Sequence, residues 1–154
     1  MIGSAALVLP TVIAASAMAA TVIGTAGDDV LYGTPQADTI FGKAGNDEIR
    51  SCRGPDRVVG GKGSDTIHGG AGNDWIQADL ARLGRGSGDD VVHAGRGDDV
   101  VGAAGGTNRI FLGHGNDRVS DIPNDRAARD DVIRMGPGRD VAELDRGRRV
   151  VYAG

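Results

Sequence analysis

The residues with the clearest chemistry in this sequence are aspartates that recur every nine positions. Read in nines from Gly24, the chain gives GTAGDDVLY, GTPQADTIF, GKAGNDEIR, SCRGPDRVV, GGKGSDTIH and GGAGNDWIQ. After seven inserted residues, ADLARLG at 78–84, the pattern resumes at Arg85 with RGSGDDVVH, AGRGDDVVG, AAGGTNRIF and LGHGNDRVS. The sixth place of these ten units is Asp in all but one, which has Asn108. Carboxylates repeated at a fixed interval can bind a row of hard cations.

Two further places of the unit predict the elements that must hold these aspartates. The fourth place is Gly in every unit except the one with Gln36, and the eighth place is always Leu, Ile or Val. Glycine allows the positive φ angles of tight turns, whereas the β-branched residues that follow favour a very short strand. Each unit is therefore predicted to be one loop and one strand. Since strand side chains alternate, the sixth and eighth places share one face and the seventh and ninth share the other.

Stacking of such units brings the aspartate carboxylates close together, so that they repel each other and can also bind a cation. Two units per coil would put two parallel strands back to back, with the eighth-place side chains meeting between sheets about 10 Å apart. This core is predicted to be one row wide in each sheet. Coils stacked about 4.8 Å apart align the sixth-place carboxylates in a column, whose mutual repulsion opposes folding unless a cation lies between the coils. An all-oxygen ligand set suits Ca²⁺, whereas Zn²⁺ prefers Cys and His, which do not recur in the units.

Composition and charge agree with a thin, acidic solenoid. The chain of 154 residues is long enough for one domain, contains 27 glycines, and has only 3 % aromatic residues. Of its 21 acidic residues 19 are Asp, and the net charge is −4. Residues 24–120 hold 14 acidic against 10 basic residues, which argues against a nucleic-acid partner.

The pattern over residues 24–120 resembles the GGxGxDxUx nonapeptide of the RTX, or haemolysin-type, calcium-binding repeats. This resemblance implies an all-β fold, a parallel β-roll (a right-handed β-solenoid) of short strands with Ca²⁺-binding Gly/Asp turns. It also implies several Ca²⁺ ions between consecutive loops on the same edge, bound by sixth-place Asp and turn carbonyls, with Asp47 paired with Asp65 and Asp56 with Asp74. The implied metal ligands are Asp29, Asp38, Asp47, Asp56, Asp65, Asp74, Asp90, Asp99 and Asp117.

The two ends of the chain differ from the repeat region. Residues 1–20 are predicted to be a secretory signal peptide, because an apolar stretch ends in Ala17-Met18-Ala19, which fits an A-x-A cleavage site. A buried helix is the alternative. Residues 21–120 are predicted to form the roll, interrupted at 78–84, and residues 121–154 a cap of degenerate repeats with RRVVYAG as a closing strand. In the cap Asp131 and Asp140 take the sixth place and are expected to belong to capping coils rather than to metal sites.

The single cysteine and the single tryptophan leave alternatives open. Cys52 cannot form an internal disulfide and is either an idle or buried thiol or an intermolecular one. Trp75 takes an outward seventh place, either as an ordinary exposed ring or as part of a contact surface.

The expected function is that of a secreted, extracellular, non-enzymatic protein that folds when it binds Ca²⁺ outside the cell. No G-x-S-x-G motif and no metalloprotease spacing of His is present. The partners expected are calcium ions, with no nucleic acid and no membrane span in the mature chain; a protein or cell-surface partner stays open. The alternatives are an adhesive or surface interaction module, and a stand-alone repeat fragment of a secreted RTX hydrolase or toxin.

Overall fold

Short strands make up the regular structure of the chain. The computed structural model describes residues 11–14, 18–79, 88–121, 131–144 and 149–152. In chain order the strands are β1 (Thr11–Ala14), β2 (Thr21–Ile23), β3 (Asp29–Tyr32), β4 (Thr39–Ala44), β5 (Glu48–Arg50), β6 (Arg57–Lys62), β7 (Thr66–Ala71), β8 (Trp75–Asp79), β9 (Val91–Arg96), β10 (Val100–Ala103), β11 (Arg109–His114), β12 (Arg118–Asp121), β13 (Asp131–Arg134), β14 (Val141–Leu144) and β15 (Arg149–Tyr152). None of these ranges contains a helix long and apolar enough to cross a membrane.

The strands form two parallel sheets that the chain visits in turn. One sheet contains the eight odd-numbered strands in the order β1 to β15, and the other contains the seven even-numbered strands from β2 to β14. Each strand therefore pairs with the strand two places along the chain, and two units make one coil. In the first block the coil is 18 residues long, since Ile49 lies beside Ile67 and Val58 beside Ile76. The prediction of an all-β parallel β-roll is confirmed.

The seven-residue insertion does not change the order of the coils. Ile67 pairs with Val92 in one sheet, and Ile76 pairs with Val101 in the other. The second block thus continues on the edge where the regular repeat would have placed it, a point that the sequence left open. Residues 80–84 of the insertion lie outside the described ranges, and so do the first three residues of the unit that follows, 85–87.

The core is a double row of aliphatic side chains that becomes wider along the chain. All ten eighth-place side chains are fully buried: Leu31, Ile40, Ile49, Val58, Ile67, Ile76, Val92, Val101, Ile110 and Val119. In the second half, first-place side chains join the same cluster, namely Ala78, Ala94, Ala103 and Leu112. The prediction of one row per sheet therefore describes the first half, where the first place is Gly or Ser, and underestimates the second half.

Both ends of the described chain continue the stacking. β13 and β15 extend the odd-numbered sheet and β14 extends the even-numbered one, so the expected closing strand is present. At the other end β1 pairs with β3, although its residues fall within the segment predicted to be a signal peptide. The signal peptide stays a prediction, and residues 1–10 and 15–17 of it lie outside the described ranges.

Outward side chains stack along the sheets in register with the strands. His68, His93 and Phe111 form a parallel ring stack with centroid separations of 5.0 and 4.6 Å. On the other sheet the Arg57 guanidinium lies 4.0 Å from the centroid of Trp75, so the half-buried tryptophan contacts a cation of the neighbouring coil rather than standing alone. Cys52 is exposed, which rules out the buried thiol.

The turns depend on positive φ angles at the second and fourth places. Gly45 has φ +119°, and a Cβ there would come within 2.6 Å of the Gly27 carbonyl oxygen in the coil below. Two second-place residues adopt the same region without being glycine, Lys43 with φ 85° and Cys52 with φ 84°. A left-handed backbone costs an L-residue about 1–2 kcal/mol, so these two turns are strained.

We expect Lys43→Gly to raise the free energy of unfolding by about 1 kcal/mol, because glycine removes the steric cost of the left-handed backbone. Urea unfolding at saturating Ca²⁺ measures the change. Lys62→Gly is the matched control, since Lys62 is also exposed and, like Lys43, is one of the last two residues of an even-numbered strand, but its φ is not positive. It should lose about 0.5–1 kcal/mol. Equal destabilisation by both substitutions would contradict the strain at Lys43.

Candidate metal centre

The sixth-place aspartates form two columns, one along each edge of the roll where the turns lie. In each column, one carboxylate oxygen, Oδ1, accepts a hydrogen bond from the backbone N–H of the sixth-place residue in the preceding coil. The distance from Asp47 N to Asp65 Oδ1 is 2.9 Å, and that from Asp56 N to Asp74 Oδ1 is also 2.9 Å. The same-edge pairs predicted from the sequence are therefore brought together.

Each column runs without a break through the insertion and into the C-terminal cap. One column contains Asp29, Asp47, Asp65, Asp90, Asn108 and Asp131. The other contains Asp38, Asp56, Asp74, Asp99, Asp117 and Asp140. All nine aspartates predicted as ligands belong to the columns, and so do Asp131 and Asp140 of the cap.

The second oxygen of most of these carboxylates has no protein partner. Oδ2 is buried without a hydrogen bond in Asp47, Asp56, Asp65, Asp74, Asp90, Asp99 and Asp117. A buried, unpaired carboxylate oxygen is costly, because desolvation of a charge is not offset by any donor. The arrangement therefore needs a proton or a cation at each of these oxygens.

Backbone carbonyls face several of the unpaired oxygens. At Gly69, the first residue of its unit, a Cβ would lie 2.8 Å from Asp74 Oδ2 and close to the Ala94 carbonyl oxygen of the next coil. Gly42 and Gly60 repeat the arrangement with Asp47 Oδ2 and Asp65 Oδ2. Gly24 and Gly33 have the same walls, but there Asp29 Oδ2 and Asp38 Oδ2 accept a backbone N–H, from Thr25 and Thr34 respectively, each at 2.5 Å. We call this space a cradle: it lies over a first-place glycine and has a carboxylate oxygen and a carbonyl oxygen as its walls.

Two units fill the equivalent space with protein atoms. In one, the first-place residue is Ser51, whose hydroxyl donates a hydrogen bond of 2.6 Å to the Gly69 carbonyl oxygen. In the other, Asn108 Oδ1 accepts from Asp90 N at 2.9 Å, as an aspartate would, while its Nδ2 donates to the Gly105 carbonyl oxygen at 2.8 Å. The Asn108 Nδ2 group thus forms a hydrogen bond at the position where an aspartate would have an unpaired Oδ2. This unit, the one without a sixth-place aspartate, therefore needs no cation.

Burial raises the pKa of the carboxyl groups along the columns. It brings the pKa of Asp56 to about 7, of Asp65 to about 8 and of Asp99 to about 7, from an ordinary value of 3.8. The hydrogen bond from the preceding coil lowers each pKa in part, and neighbouring carboxylates of the column raise it again. Burial also raises the pKa of Asp47 and Asp117. The roll without a bound cation therefore favours the protonated form of these groups.

A second ladder, which the sequence analysis missed, runs along the outside of the turns. Fifth-place side chains accept hydrogen bonds from the backbone N–H of the following coil, as Asp28 does from Asn46 N at 2.7 Å and Asn46 does from Ser64 N at 2.8 Å. The direction is opposite to that of the sixth-place columns. The signal in the sequence was the frequent Asp, Asn or Ser at the fifth place, residues that readily accept backbone hydrogen bonds.

The donor set fits a calcium ion better than any other common protein metal. Within the described residues no three side chains of His, Cys, Asp or Glu converge on one point, so a metal here must take backbone carbonyls as well as carboxylates. Carboxylate and carbonyl oxygens in a flexible arrangement are the ligands of Ca²⁺. A site made from the turns of two successive coils would bind them to each other.

Stacked parallel strands with buried aspartate columns in the turns define a calcium-binding repeat protein. The chain matches the family described as RTX calcium-binding nonapeptide repeat, in four copies, over residues 17–49, 53–80 and 85–119. It belongs to this family, and its cofactor is Ca²⁺, with several ions along the array. Comparison with curated proteins and with solved structures finds no match.

The raised pKa values predict how acidity affects the calcium-free fold. Because the folded pKa of Asp56, Asp65 and Asp99 lies above the ordinary value, their cost to folding is absent below pH 3.8 and complete above about pH 8. In excess chelator, with trimethylamine oxide added to populate the folded state, β-structure should increase as the pH falls from about 9 to about 7.

Circular dichroism across that range measures the effect. Burial lowers the pKa of His68, so its protonation opposes folding only below its ordinary value of 6.5, outside the range chosen. A loss of β-structure between the two pH values would contradict the raised carboxyl pKa values.

Proposed function

We propose that this RTX-repeat chain is a secreted, non-enzymatic protein that folds when it binds Ca²⁺ outside the cell. The observation that carries the proposal is the row of buried, unpaired Oδ2 atoms, of which those of Asp47, Asp65 and Asp74 also lie beside a carbonyl oxygen of the next coil. We assign the ligand role to Asp29, Asp38, Asp47, Asp56, Asp65, Asp74, Asp90, Asp99 and Asp117. Asp131 and Asp140 continue the columns through Oδ1 and are proposed to cap them.

Coupling of binding to folding follows from the energetics of these carboxylates. In the unfolded chain each aspartate is solvated and carries its charge without penalty. In the roll the same groups are buried in columns, where desolvation and mutual repulsion oppose the charged form. A Ca²⁺ ion that replaces the lost solvation stabilises only the folded state, so its binding free energy becomes folding free energy.

The need for calcium supports a role outside the cell. Extracellular calcium modules bind with dissociation constants of about 10⁻⁴–10⁻³ M. At such affinities the chain would stay unfolded at the low calcium level of a cytoplasm and fold after export. The predicted signal peptide at residues 1–20 is consistent with this route.

The placement of the histidines supports a non-enzymatic role. Among the described residues, His68 and His93 stack on each other on the outer face of one sheet, at a centroid separation of 5.0 Å. The aspartate columns lie in the turns at the edges of the sheets. His68 and His93 therefore do not form a pair of general base and carboxylate with the column aspartates.

Calcium should convert the chain from a disordered state to the β-roll. Circular dichroism during a calcium titration is expected to show little β-structure in chelator and a cooperative rise, with a midpoint of about 10⁻⁴–10⁻³ M. Magnesium at the same concentration is the control, since its strict octahedral geometry does not suit these flexible turns. Equal β content in calcium and in chelator would overturn the proposal.

Asp65→Asn tests the ligand role of a single column residue. The amide keeps an Oδ1 acceptor for the backbone of the preceding coil, as Asn108 does naturally, but it removes the anionic oxygen. The midpoint of the calcium titration should rise by about threefold to tenfold.

Asp28→Asn is the matched control for this variant. It removes one charge from a neighbouring ladder whose other members include Asn46, and it keeps the acceptor for Asn46 N. The calcium midpoint should then stay within about twofold of the wild-type value. Similar shifts for both variants would show that overall charge, rather than a ligand at Asp65, sets the midpoint.

A further inference from the structure

One buried carboxylate in the described residues stands outside the nonapeptide pattern. Asp79 is the last residue of β8 and one of the inserted residues, and it lies beside Gly61, a second-place glycine of the neighbouring strand. Its residue is only 2 % exposed, and neither of its carboxylate oxygens has a hydrogen-bond partner. The column aspartates are anchored through Oδ1, so Asp79 differs from them in leaving both oxygens unsatisfied.

Asp79 faces a carboxylate of the column rather than a donor. Its side chain is in contact with that of Asp90, whose Oδ2 is also buried and unpaired. Asp90 Oδ1 is already used, since it accepts from Asp65 N at 2.8 Å. Three unpaired oxygens on two carboxylates therefore lie close together, between the end of β8 and the start of β9.

The Asp65 carboxylate is also near enough to Asp79 to raise its pKa. The carbonyl oxygen of Ala78, the residue before Asp79, forms with Asp65 Oδ2 the walls of the cradle over Gly60. The only group acting in the opposite direction on Asp79 is the backbone amide of Ala104, which lowers its pKa without reaching hydrogen-bond geometry. Burial and the nearby Asp90 raise the pKa of Asp79 well above its ordinary range.

We propose that Asp79, at the end of β8, and Asp90, directly before β9, together bind a Ca²⁺ ion at a site that the nonapeptide pattern does not encode. The two carboxylates supply the anionic oxygens, and backbone carbonyls complete the shell. The proposal rests on the proposed function for Asp90, but the role of Asp79 is additional to it.

The site is expected to be the tightest in the chain. A repeat cradle has one anionic oxygen facing a carbonyl, whereas here two carboxylates face each other, and the affinity of calcium sites increases with the charge of the ligands. Asp79 is itself the second of the seven inserted residues. An ion bound there would connect the coil of β8 with that of β9 and so join the two blocks of repeats.

Calorimetric titration of the full chain with Ca²⁺ tests the proposal. The wild-type chain should show a tight class of one ion followed by the weaker ions of the repeats. Asp79→Asn should reduce the total stoichiometry by one ion, or weaken the tightest class by about tenfold or more, while the calcium-dependent gain of β-structure persists. Asp79→Gly, which places at this position the residue found at Gly61, should give the same loss and guards against misfolding caused by a buried amide.

The outcomes separate the two proposals. If both Asp79 variants bind as many ions as the wild type with unchanged affinity, the site is overturned and the facing carboxylates share a proton instead. The function proposed for the repeats would then stand. If the wild-type chain neither binds Ca²⁺ nor gains β-structure, the function itself fails. Electron density for an ion between the two carboxylates in a calcium-soaked crystal would confirm the site directly.

Discussion

Seven of the column aspartates have one oxygen that the backbone satisfies and one that has no partner: Asp47, Asp56, Asp65, Asp74, Asp90, Asp99 and Asp117. Oδ1 accepts an N–H from the preceding coil, as in the 2.9 Å bond from Asp47 N to Asp65 Oδ1, and so takes part in the stacking of coils. Oδ2 of the same group is buried and unpaired. Protein atoms alone do not provide hydrogen-bond partners for both oxygens while the carboxylate remains charged. The fold therefore includes a demand for a cation in every turn that keeps this arrangement.

The glycines are needed for the space around the column carboxylates rather than for the strands. A side chain at Gly24 or Gly33 would occupy the space between a carboxylate oxygen and a carbonyl oxygen, and a Cβ at Gly45 would strike the coil below. Each glycine loses more backbone entropy on folding than another residue would, which lowers the free energy of unfolding. The thin core contributes little to offset this loss. The proposed coupling of Ca²⁺ binding to folding would supply the remaining favourable free energy, as metal binding does in small metal-dependent domains.

The two halves of the roll differ in the residues that lie at the first place, beside the column carboxylates. In the first half, the first place is glycine or Ser51, and the space beside Oδ2 is polar. In the second half, Ala94 and Leu112 bring apolar side chains to the corresponding place and enlarge the core cluster. At Asn108 an amide replaces the carboxylate, and both its oxygen and its nitrogen form hydrogen bonds with the backbone. Apolar burial thus increases along the chain where glycine cradles become fewer.

The sequence by itself determined the repeat, the pairing of alternate units, the buried face and the identity of the column aspartates. It could do so because each depends on a local period of nine residues that the strand alternation converts directly into geometry. Only the tertiary structure decided three other points: that the second block keeps its edge across the insertion, that fifth-place side chains form an opposing ladder, and that Asp79 faces Asp90. Each of these depends on which coil lies beside which, since Asp65 N bonds to Asp90 across 25 residues rather than 18. A periodic pattern fixes the content of a coil, whereas contacts across an irregular turn are fixed only when the coils are stacked.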